Sequence, residues 1–346
     1  MNFKQYLTEN VLPFWLGDAI DREKGGIFTC LDREGKVYGE EKSVWFQGRA
    51  LWVFSKAYNH IEKKAEYLAA AKTIYDFIPL CEDTDGRMFF TVTREGKGIQ
   101  KRRYYYSETF AAIGCAQYYK ATGDSEAWAR AEKYFAIAKL CFDDPSQNPP
   151  KFTTSAKALA PVMIMMNTAR CMAECAPDGA AYAALAASYA KELIEGGYFS
   201  EEVGALLESV SPDGKFVNTP AGRVVNPGHS LEAAWFLMVE GLLGKNDEAL
   251  TLAKKIIDVT MPLGLDEKHG GIIAFTDVKG MPPSALEWDM KLWWPQNEAI
   301  LANRIAYEVF REEKYKEAYE SLLAFAFDKF GDKKHGEWYG YLHYDA

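Results

Sequence analysis

The feature that most constrains the fold is a recurring segment that begins with glycine and separates pairs of helical segments. It reads GGIFTCLDREG from Gly25, GRMFFTVTREG from Gly86, GGIIAFTDVKG from Gly270 and GEWYGYLHYD from Gly336, with a weaker fifth copy from Gly196. The copies alternate β-branched and aromatic residues, which predicts short hairpins. Recurrence every roughly 60–75 residues is the signature of a repeated supersecondary unit, here two helices and a hairpin.

Apolar residues at helical spacing predict the helices that lie between these segments. Short connections such as 122–124 predict antiparallel neighbours. Six such pairs closed into a ring form an all-α (α/α)6 barrel, and an open helical solenoid is the alternative. We favour the ring because the repeat number is near six and the connections between pairs are long. We count eleven helices, at 2–15, 42–60, 63–80, 104–121, 125–142, 155–176, 180–196, 228–243, 246–260, 290–311 and 314–329.

No proline-rich or low-complexity linker divides the chain, so we predict a single catalytic domain over residues 1–346. Twelve helices would complete six pairs, so we expect the last helix and its C-terminal segment to be missing from this sequence. The net charge of −9 would repel nucleic acid and anionic membranes at long range. No apolar run approaches the roughly 20 residues of a membrane span, and no secretion signal is visible.

Six cysteines without a CxxC pair are typical of a reduced, cytoplasmic protein, and we expect no metal site. Aromatic residues make up 14% of the chain, enough to furnish a core and to leave rings for stacking on sugars. Nucleotide-binding glycine motifs, HExxH and GxSxG are absent. A hydrolase with paired carboxylates stays open, because 49 acidic residues offer many candidate pairs.

The most informative motif is NPGHSLEAAW, where a helix is expected to begin near His229. His229 and Glu232 are three residues apart and so share a face of the first helical turn. The positive end of the helix dipole disfavours imidazolium, so we expect a neutral imidazole that can act as a general base. A capping role for His229 is the alternative.

Two further motifs combine aromatic rings with polar groups. In KLWWPQNEA, Trp294 and Glu298 are four residues apart, which places a stacking surface beside a carboxylate; Trp293 precedes them. In WFQGRALW, Arg49 lies four residues after Trp45 on an apolar helix. We expect a buried guanidinium paired with a carboxylate or with a ligand oxygen. A core tryptophan and a structural salt bridge are the respective alternatives.

Three single residues complete the set of candidates. In RYYYSE the three tyrosines cannot all face the core, so we expect Tyr106 or a neighbour to face a cavity. Asn167 interrupts the apolar run VMIMM and must be hydrogen-bonded to protein or ligand. His343 lies in the last hairpin among aromatic residues, where an exposed position without function is the alternative.

Taken together, these segments resemble the N-acylglucosamine 2-epimerase family, which includes cellobiose 2-epimerases and aldose–ketose isomerases. The matching motifs are GGIFTCLDREG, WFQGRALWVFS, YYYSETF, NPGHSLEAAWFL, WWPQNEAI and GEWYGYLHYD, in family order from about residue 10 to 345. The resemblance implies an (α/α)6 barrel and a carbohydrate isomerase. Family members remove the C2 proton of an open-chain sugar, form an enediolate and return a proton to the opposite face.

The resemblance also implies roles for individual residues. Arg49 would hold substrate oxygens and stabilise negative charge, and His229 would be one of two acid/base histidines. Glu232 and Glu298 would orient histidines and hydroxyls. The pocket would be lined by Trp45, Tyr106, Asn167, Trp293, Trp294 and His343.

The sequence departs from the family at its end, because family members continue into an FHxPR motif that carries the second acid/base histidine. A sugar 2-epimerase of the N-acetylglucosamine/N-acetylmannosamine type is our first hypothesis. A mannose-type isomerase or cellobiose 2-epimerase comes second, followed by a glycoside hydrolase or a non-catalytic sugar-binding barrel. We expect no required cofactor, with a nucleotide effector left open, and a homodimer is the guess that the resemblance suggests.

Overall fold

The computed structural model describes residues 2–102, 104–148 and 155–346. Within them the chain forms eleven α-helical segments, as predicted, and two short 3-10 helices at Ile78–Cys81 and Pro145–Gln147. The first is composite, with α1 at Phe3–Tyr6, a π-helical turn at Leu7–Val11 and α2 at Leu12–Leu16. The other ten are α3 Val44–His60, α4 Ala65–Phe77, α5 Tyr106–Thr122, α6 Ser125–Asp143, α7 Leu159–Cys175, α8 Ala180–Glu195, α9 Pro227–Gly244, α10 Asp247–Gly264, α11 Trp293–Phe310 and α12 Glu313–Lys329.

Local sequence signals explain several of these helix ends. Asp124, Asn226 and Asn246 each accept a hydrogen bond from a backbone N–H in the first turn of the following helix, which satisfies a donor that the helix itself cannot pair. Gly123 ends α5 in the left-handed conformation, at φ 73°, and lets α6 begin two residues later.

The strands are short and all pairings are antiparallel. They are β1 Cys30–Leu31, β2 Val37–Gly39, β3 Lys42–Ser43, β4 Thr91–Val92, β5 Gly98–Gln100, β6 Lys157–Ala158, β7 Phe199–Ser200, β8 Ala205–Leu206, β9 Ser209–Val210, β10 Val224–Val225, β11 Thr276–Asp277, β12 Lys291–Leu292 and β13 Tyr341–Leu342. The ladders are β1–β2, β3–β4–β5, β6–β9, β7–β8, β10–β11 and β12–β13.

Three of the five predicted hairpins are confirmed, namely β1–β2, β4–β5 and β7–β8. The other two predictions were wrong in their partners. β11 pairs with β10, and β13 pairs with β12, each of which directly precedes a helix. The same arrangement joins β3 to β4 and β6 to β9. A strand at the start of α3, α7, α9 or α11 is therefore anchored by a strand from a later connection.

The chain divides into two compact units, which we describe separately. The first comprises the described residues of Met1–Phe152, Asn167–Ala184 and Lys333–Glu337. In it α3 packs on α4 and α5, and α5 packs on α6. The α3–α5 contact is very close because Gly48 has no side chain; a Cβ there would lie 2.4 Å from the carbonyl carbon of Phe110. The hydroxyl of Tyr6 donates to the Gly336 carbonyl, so the unit joins segments from distant parts of the chain.

The second unit comprises the described residues of Thr153–Met166, Leu185–Asp332 and Trp338–Ala346. Here α9 packs on α10 and α11, and α11 packs on α12. The core consists of alanines and larger aliphatic residues from these helices, including the fully buried Leu231, Leu237, Ile256 and Ile257.

Each unit contains a buried lysine that ties one of the glycine-containing segments to the following helix. In the first unit the Lys42 ammonium donates to the carboxylate of Asp21 and to the carbonyls of Gly25 and Arg94. In the second, Lys291 donates to the carboxylate of Asp266 at 2.8 Å. Both lysine side chains are completely buried. The sequence repeat thus corresponds to a repeated ion pair.

A glutamine five residues after each lysine forms hydrogen bonds with the backbone of a glycine-containing segment. Gln47 accepts a hydrogen bond from the backbone N–H of Ile27 and donates to its carbonyl, and Gln296 does the same with Ile272. The two glutamines are fully buried, so these bonds satisfy polar groups that water cannot reach.

Candidate active site

The candidate site in the second unit is organised around His229, in the first turn of α9. The helix begins at Pro227, two residues before His229, near which the sequence predicted its start. The buried side chain of Asn226 accepts a hydrogen bond from the His229 backbone N–H at 3.2 Å. The Nδ1 atom of His229 lies 3.0 Å from both carboxylate oxygens of Glu208. The imidazole is 29% exposed, so it is accessible to solvent while it is fixed by its neighbours.

The charge of His229 is the reverse of what the sequence predicted. Burial lowers the pKa of the imidazole, but the carboxylates of Glu208, Glu232 and Glu298 outweigh burial and raise the pKa to about 9. The dipole of one helix N-terminus is weaker than three nearby carboxylates, one of which is hydrogen-bonded to the ring. At neutral pH this shift favours the imidazolium form of His229.

The aromatic residues of α11 lie beside this histidine. The ring of Trp294 lies 5.2 Å from the imidazole of His229, tilted by 39°. Glu298, one turn further along α11, accepts a hydrogen bond of 2.7 Å from the indole N–H of Trp235. Trp293 is 45% exposed and points away from the core. The structure thus brings together His229, Glu232, Glu298 and Trp294, which the sequence had proposed from two separate motifs.

The candidates of the first unit form an aromatic cluster at the start of α3 and α5. Trp45 lies 5.5 Å from Tyr106 and 5.8 Å from Phe110, measured between ring centroids. The guanidinium of Arg49 lies over the ring of Phe110 at 4.2 Å. Arg49 is exposed, so the prediction of a buried guanidinium was wrong. The flat face of Phe110 supports the cation by a cation–π contact.

The remaining candidates have simpler surroundings. Tyr105 is buried, Tyr104 is 38% exposed and Tyr106 is half-buried, so the three tyrosines do not all face the core, as expected. That one of them faces a cavity stays a prediction. Asn167 is half-buried on α7, and its side-chain oxygen lies 3.9 Å from the Cys171 sulfur. His343 follows β13 in an exposed position. The substrate-binding roles of these residues stay predictions.

Sequence reasoning missed Glu208, which contacts His229 directly. Its signal was present but weak, as a single carboxylate within the apolar stretch ALLESV. The connection between β8 and β9 brings this residue to the start of α9, and nothing in the local sequence reveals that pairing. No cluster of His, Cys, Asp and Glu suited to a metal ion occurs in the ranges that the structure describes. Over the same ranges, no helix is both long and apolar enough to cross a bilayer.

Comparison with known proteins places this geometry in a family. The family profile of N-acylglucosamine 2-epimerase (GlcNAc 2-epimerase) matches residues 26–346. N-acylglucosamine 2-epimerase from Bos taurus is 32% identical over 350 residues, which cover 98% of this chain and 82% of the bovine protein. The chain belongs to the N-acylglucosamine 2-epimerase family. Its predicted class, an isomerase that acts as a sugar 2-epimerase, is thereby confirmed.

Solved structures identify the fold. Cellobiose 2-epimerase from Bacillus thermoamylovorans B4167 superposes with a TM-score of 0.86 at 20% identity, covering 99% of this chain and 91% of that one. A D-mannose isomerase superposes with a TM-score of 0.87 at 20% identity, covering 99% and 90%. The residues that the structure describes are 57% helix and 11% strand. These likenesses confirm the predicted (α/α)6-barrel class.

Proposed function

We propose that this chain inverts C2 of a free reducing N-acylated amino sugar, of the N-acetylglucosamine/N-acetylmannosamine type. The observation that carries the proposal is an accessible histidine, His229, held between a carboxylate and an indole in a chain that is 32% identical to an N-acylglucosamine 2-epimerase. An acid/base group fixed in this way is what proton transfer at carbon requires.

The chemistry follows from the open-chain form of the sugar. Removing the C2 proton moves its bonding electrons toward the C1 carbonyl and produces an enediolate. Protonation of C2 from the opposite face then gives the other epimer. A positioned acid or base contributes about 10²–10⁴-fold to such a step. His229, charged at neutral pH, supplies a proton in one direction and, once neutral, removes it in the other.

Negative charge on the enediolate oxygens must be stabilised by fixed positive groups. Arg49 is our candidate for that role, as the resemblance of its motif implies, and the ring of Phe110 supports its guanidinium at 4.2 Å. Trp294 offers an aromatic face, on which the C–H groups of a sugar ring can stack. Tyr106 and Trp45 offer similar faces in the first unit.

A second candidate function is aldose–ketose isomerisation, which a single fixed histidine also suits. This reaction uses the same enediolate but returns the proton to C1. One acid/base residue can carry the proton from C2 to C1, so His229 alone could support it. The product distinguishes the two functions, because an epimerase yields an aldose and an isomerase yields a ketose.

The experiment is proton NMR of single sugars in D2O with the purified protein. The panel contains N-acetylglucosamine, N-acetylmannosamine, glucose, mannose, fructose and cellobiose. We expect deuterium at C2 and the appearance of the other epimer with the two N-acetylated sugars. The H229N variant should lose this exchange, whereas H60N, which alters an exposed histidine at the end of α3, should retain it. A ketose product, or exchange confined to unacetylated sugars, would contradict the proposed substrate.

We also propose that the protein works in the cytoplasm as a homodimer without a required cofactor. All six cysteines are free, which suits a reducing compartment. The net charge of −9 argues against nucleic acid as a partner. Light scattering of the purified protein tests the dimer, and activity measured with and without ATP after exhaustive dialysis tests the need for a cofactor or nucleotide effector.

A further inference from the structure

The carboxylate of Glu208 occupies a position that its backbone determines. Glu208 lies in the connection between β8 and β9. Its backbone N–H donates to the Val224 carbonyl at 3.4 Å, and its own carbonyl accepts from the N–H of Leu159 at 3.0 Å. Val224 belongs to β10 and Leu159 begins α7, so two neighbouring elements fix this residue. The side chain is 23% exposed and extends from this anchor to His229.

The histidine is fixed just as firmly. Asn226, which is 2% exposed, anchors the His229 backbone, and Trp294 lies beside the ring. Both oxygens of Glu208 are 3.0 Å from Nδ1, so this nitrogen carries a hydrogen that points at the carboxylate. Within the described part of the chain, Nε2 has no hydrogen-bond partner in the protein. The two ring nitrogens therefore have different surroundings.

We propose that Glu208 is a positioning residue for the proton transfer at C2, holding His229 by Nδ1 so that Nε2 is the atom that exchanges the proton with the sugar. This inference rests on the proposed function. A carboxylate orients a catalytic histidine in the same way in the Ser-His-Asp triad.

The proton transfer on the face of C2 that His229 serves balances in both directions, and a second acid/base group exchanges the proton on the opposite face. In the protonation direction, the electron pair of the enediolate C1–C2 double bond takes the hydrogen from Nε2 of the imidazolium, and the C1 oxygen becomes a carbonyl. His229 is left neutral, still bearing its hydrogen on Nδ1. In the reverse direction the Nε2 lone pair removes the C2 proton. Glu208 keeps its negative charge throughout and does not itself accept a proton.

Three carboxylates face the imidazole, and they come from different elements. Glu208 belongs to the β8–β9 connection, Glu232 to α9 itself and Glu298 to α11. Glu208 alone is hydrogen-bonded to the ring, and its charge contributes more than those of the other two. Neutralising Glu208 should therefore lower the pKa of His229 most, while Glu232 and Glu298 keep part of the effect.

The test uses the full chain, with variants E208Q and E208D and with E202Q as the matched control. Glu202 is an exposed residue in the neighbouring β7–β8 connection. Long-range 1H–15N NMR of the imidazole signals, of which the chain has five sets, reports which nitrogen bears hydrogen and the pH at which it is lost. We expect the protonation constant of His229 to fall at least tenfold in E208Q, less in E208D and not at all in E202Q.

Turnover is measured on the same samples. In E208Q we expect kcat to fall by at least tenfold and up to about 10⁴-fold, the loss seen when the orienting carboxylate of a triad is neutralised, with a small change in KM. E208D should recover part of kcat, and the pH profile should shift with the His229 titration. A merely structural role would leave the titration midpoint unchanged.

The outcomes separate this inference from the function on which it rests. An active wild type whose His229 titrates identically in E208Q overturns the positioning role alone. Hydrogen on Nε2 and none on Nδ1 in the neutral wild-type imidazole overturns it as well. A wild type that exchanges C2 hydrogen in no sugar refutes the proposed function, and with it the catalytic purpose of the pair, even where the NMR shift occurs.

Discussion

The two buried lysines differ in whether their aspartate partner also pairs with a second cation. Asp21 pairs with Lys42 and also with Arg94, whose Nε and Nη2 donate to it at 2.8 and 3.2 Å. Asp266 pairs with Lys291 and, among the described residues, with no second cation. Replacing Lys291 with Met should therefore leave a buried carboxylate without a cation, whereas replacing Lys42 leaves Asp21 still paired with Arg94.

The magnitudes follow from the groups left behind. K42M deprives the carbonyls of Gly25 and Arg94 of their ammonium donor, at about 1–3 kcal/mol for each unsatisfied group. K291M strands the charge of Asp266, which costs about 3–5 kcal/mol. Both variants should lower the free energy of unfolding by several kcal/mol, so the single substitutions alone discriminate poorly.

Replacing the aspartate partner as well distinguishes the two ion pairs, because this second substitution should change stability in opposite directions in the two units. D266N removes the stranded charge while its amide oxygen still accepts from the N–H groups of Lys268 and His269, so D266N should restore stability to K291M. D21N turns an acceptor of Arg94 into an amide donor, so D21N should destabilise K42M further.

Urea denaturation followed by circular dichroism at 222 nm gives the free energies for both double-mutant cycles. We expect D266N to recover about 2 kcal/mol in the K291M background and D21N to cost at least 1 kcal/mol in the K42M background. Two effects of the same sign would contradict the role assigned to Arg94, because the distinction depends entirely on this second cation.

Three further predictions concern the site and the helix packing. R49A should lower kcat/KM by about 10²–10³-fold in a C2-exchange assay, with R49K recovering part, because a fixed cation stabilises the enediolate. G48A should destabilise the fold by about 1–3 kcal/mol in thermal melts, because its Cβ would clash with the backbone of Phe110. The control G244A, which has open space around the added Cβ, should be neutral or slightly stabilising. Because the pKa of His229 is raised from 6.5 to about 9, the stability that its protonated ring contributes is complete below pH 6.5 and is lost as the pH rises through 9. Urea denaturation at these two pH values should show that the free energy of unfolding falls by about 3 kcal/mol more in the wild type than in H229Q.

The helices could be predicted well because their signals are local. Apolar spacing located all eleven segments, and ordinary capping residues such as Asp124 define several ends. The partners of β11 and β13 could not be predicted, since each pairs with a strand of only two residues that lies far away in sequence. Such short strands carry too few side chains to specify a partner by their own pattern.

At the site, too, features encoded by local motifs were predicted, whereas features that depend on residues distant in sequence were not. The motifs identified His229, Glu232, Trp294 and Glu298, and the structure brings these four residues together. The charge of His229 was mispredicted because it depends on Glu208, which comes from another connection. The exposure of Arg49 was also mispredicted, because an apolar helix face does not reveal where the end of a long side chain lies.

The most direct test of the account follows hydrogen at C2 of the substrate. N-acetylglucosamine carrying deuterium at C2 is incubated in ordinary water with wild type, H229N and H60N. We predict that wild type and H60N replace the deuterium with hydrogen as the other epimer appears. H229N should neither replace the deuterium nor form the epimer. Epimer formation with full retention of deuterium, or unchanged exchange in H229N, would contradict a C2 proton transfer through His229.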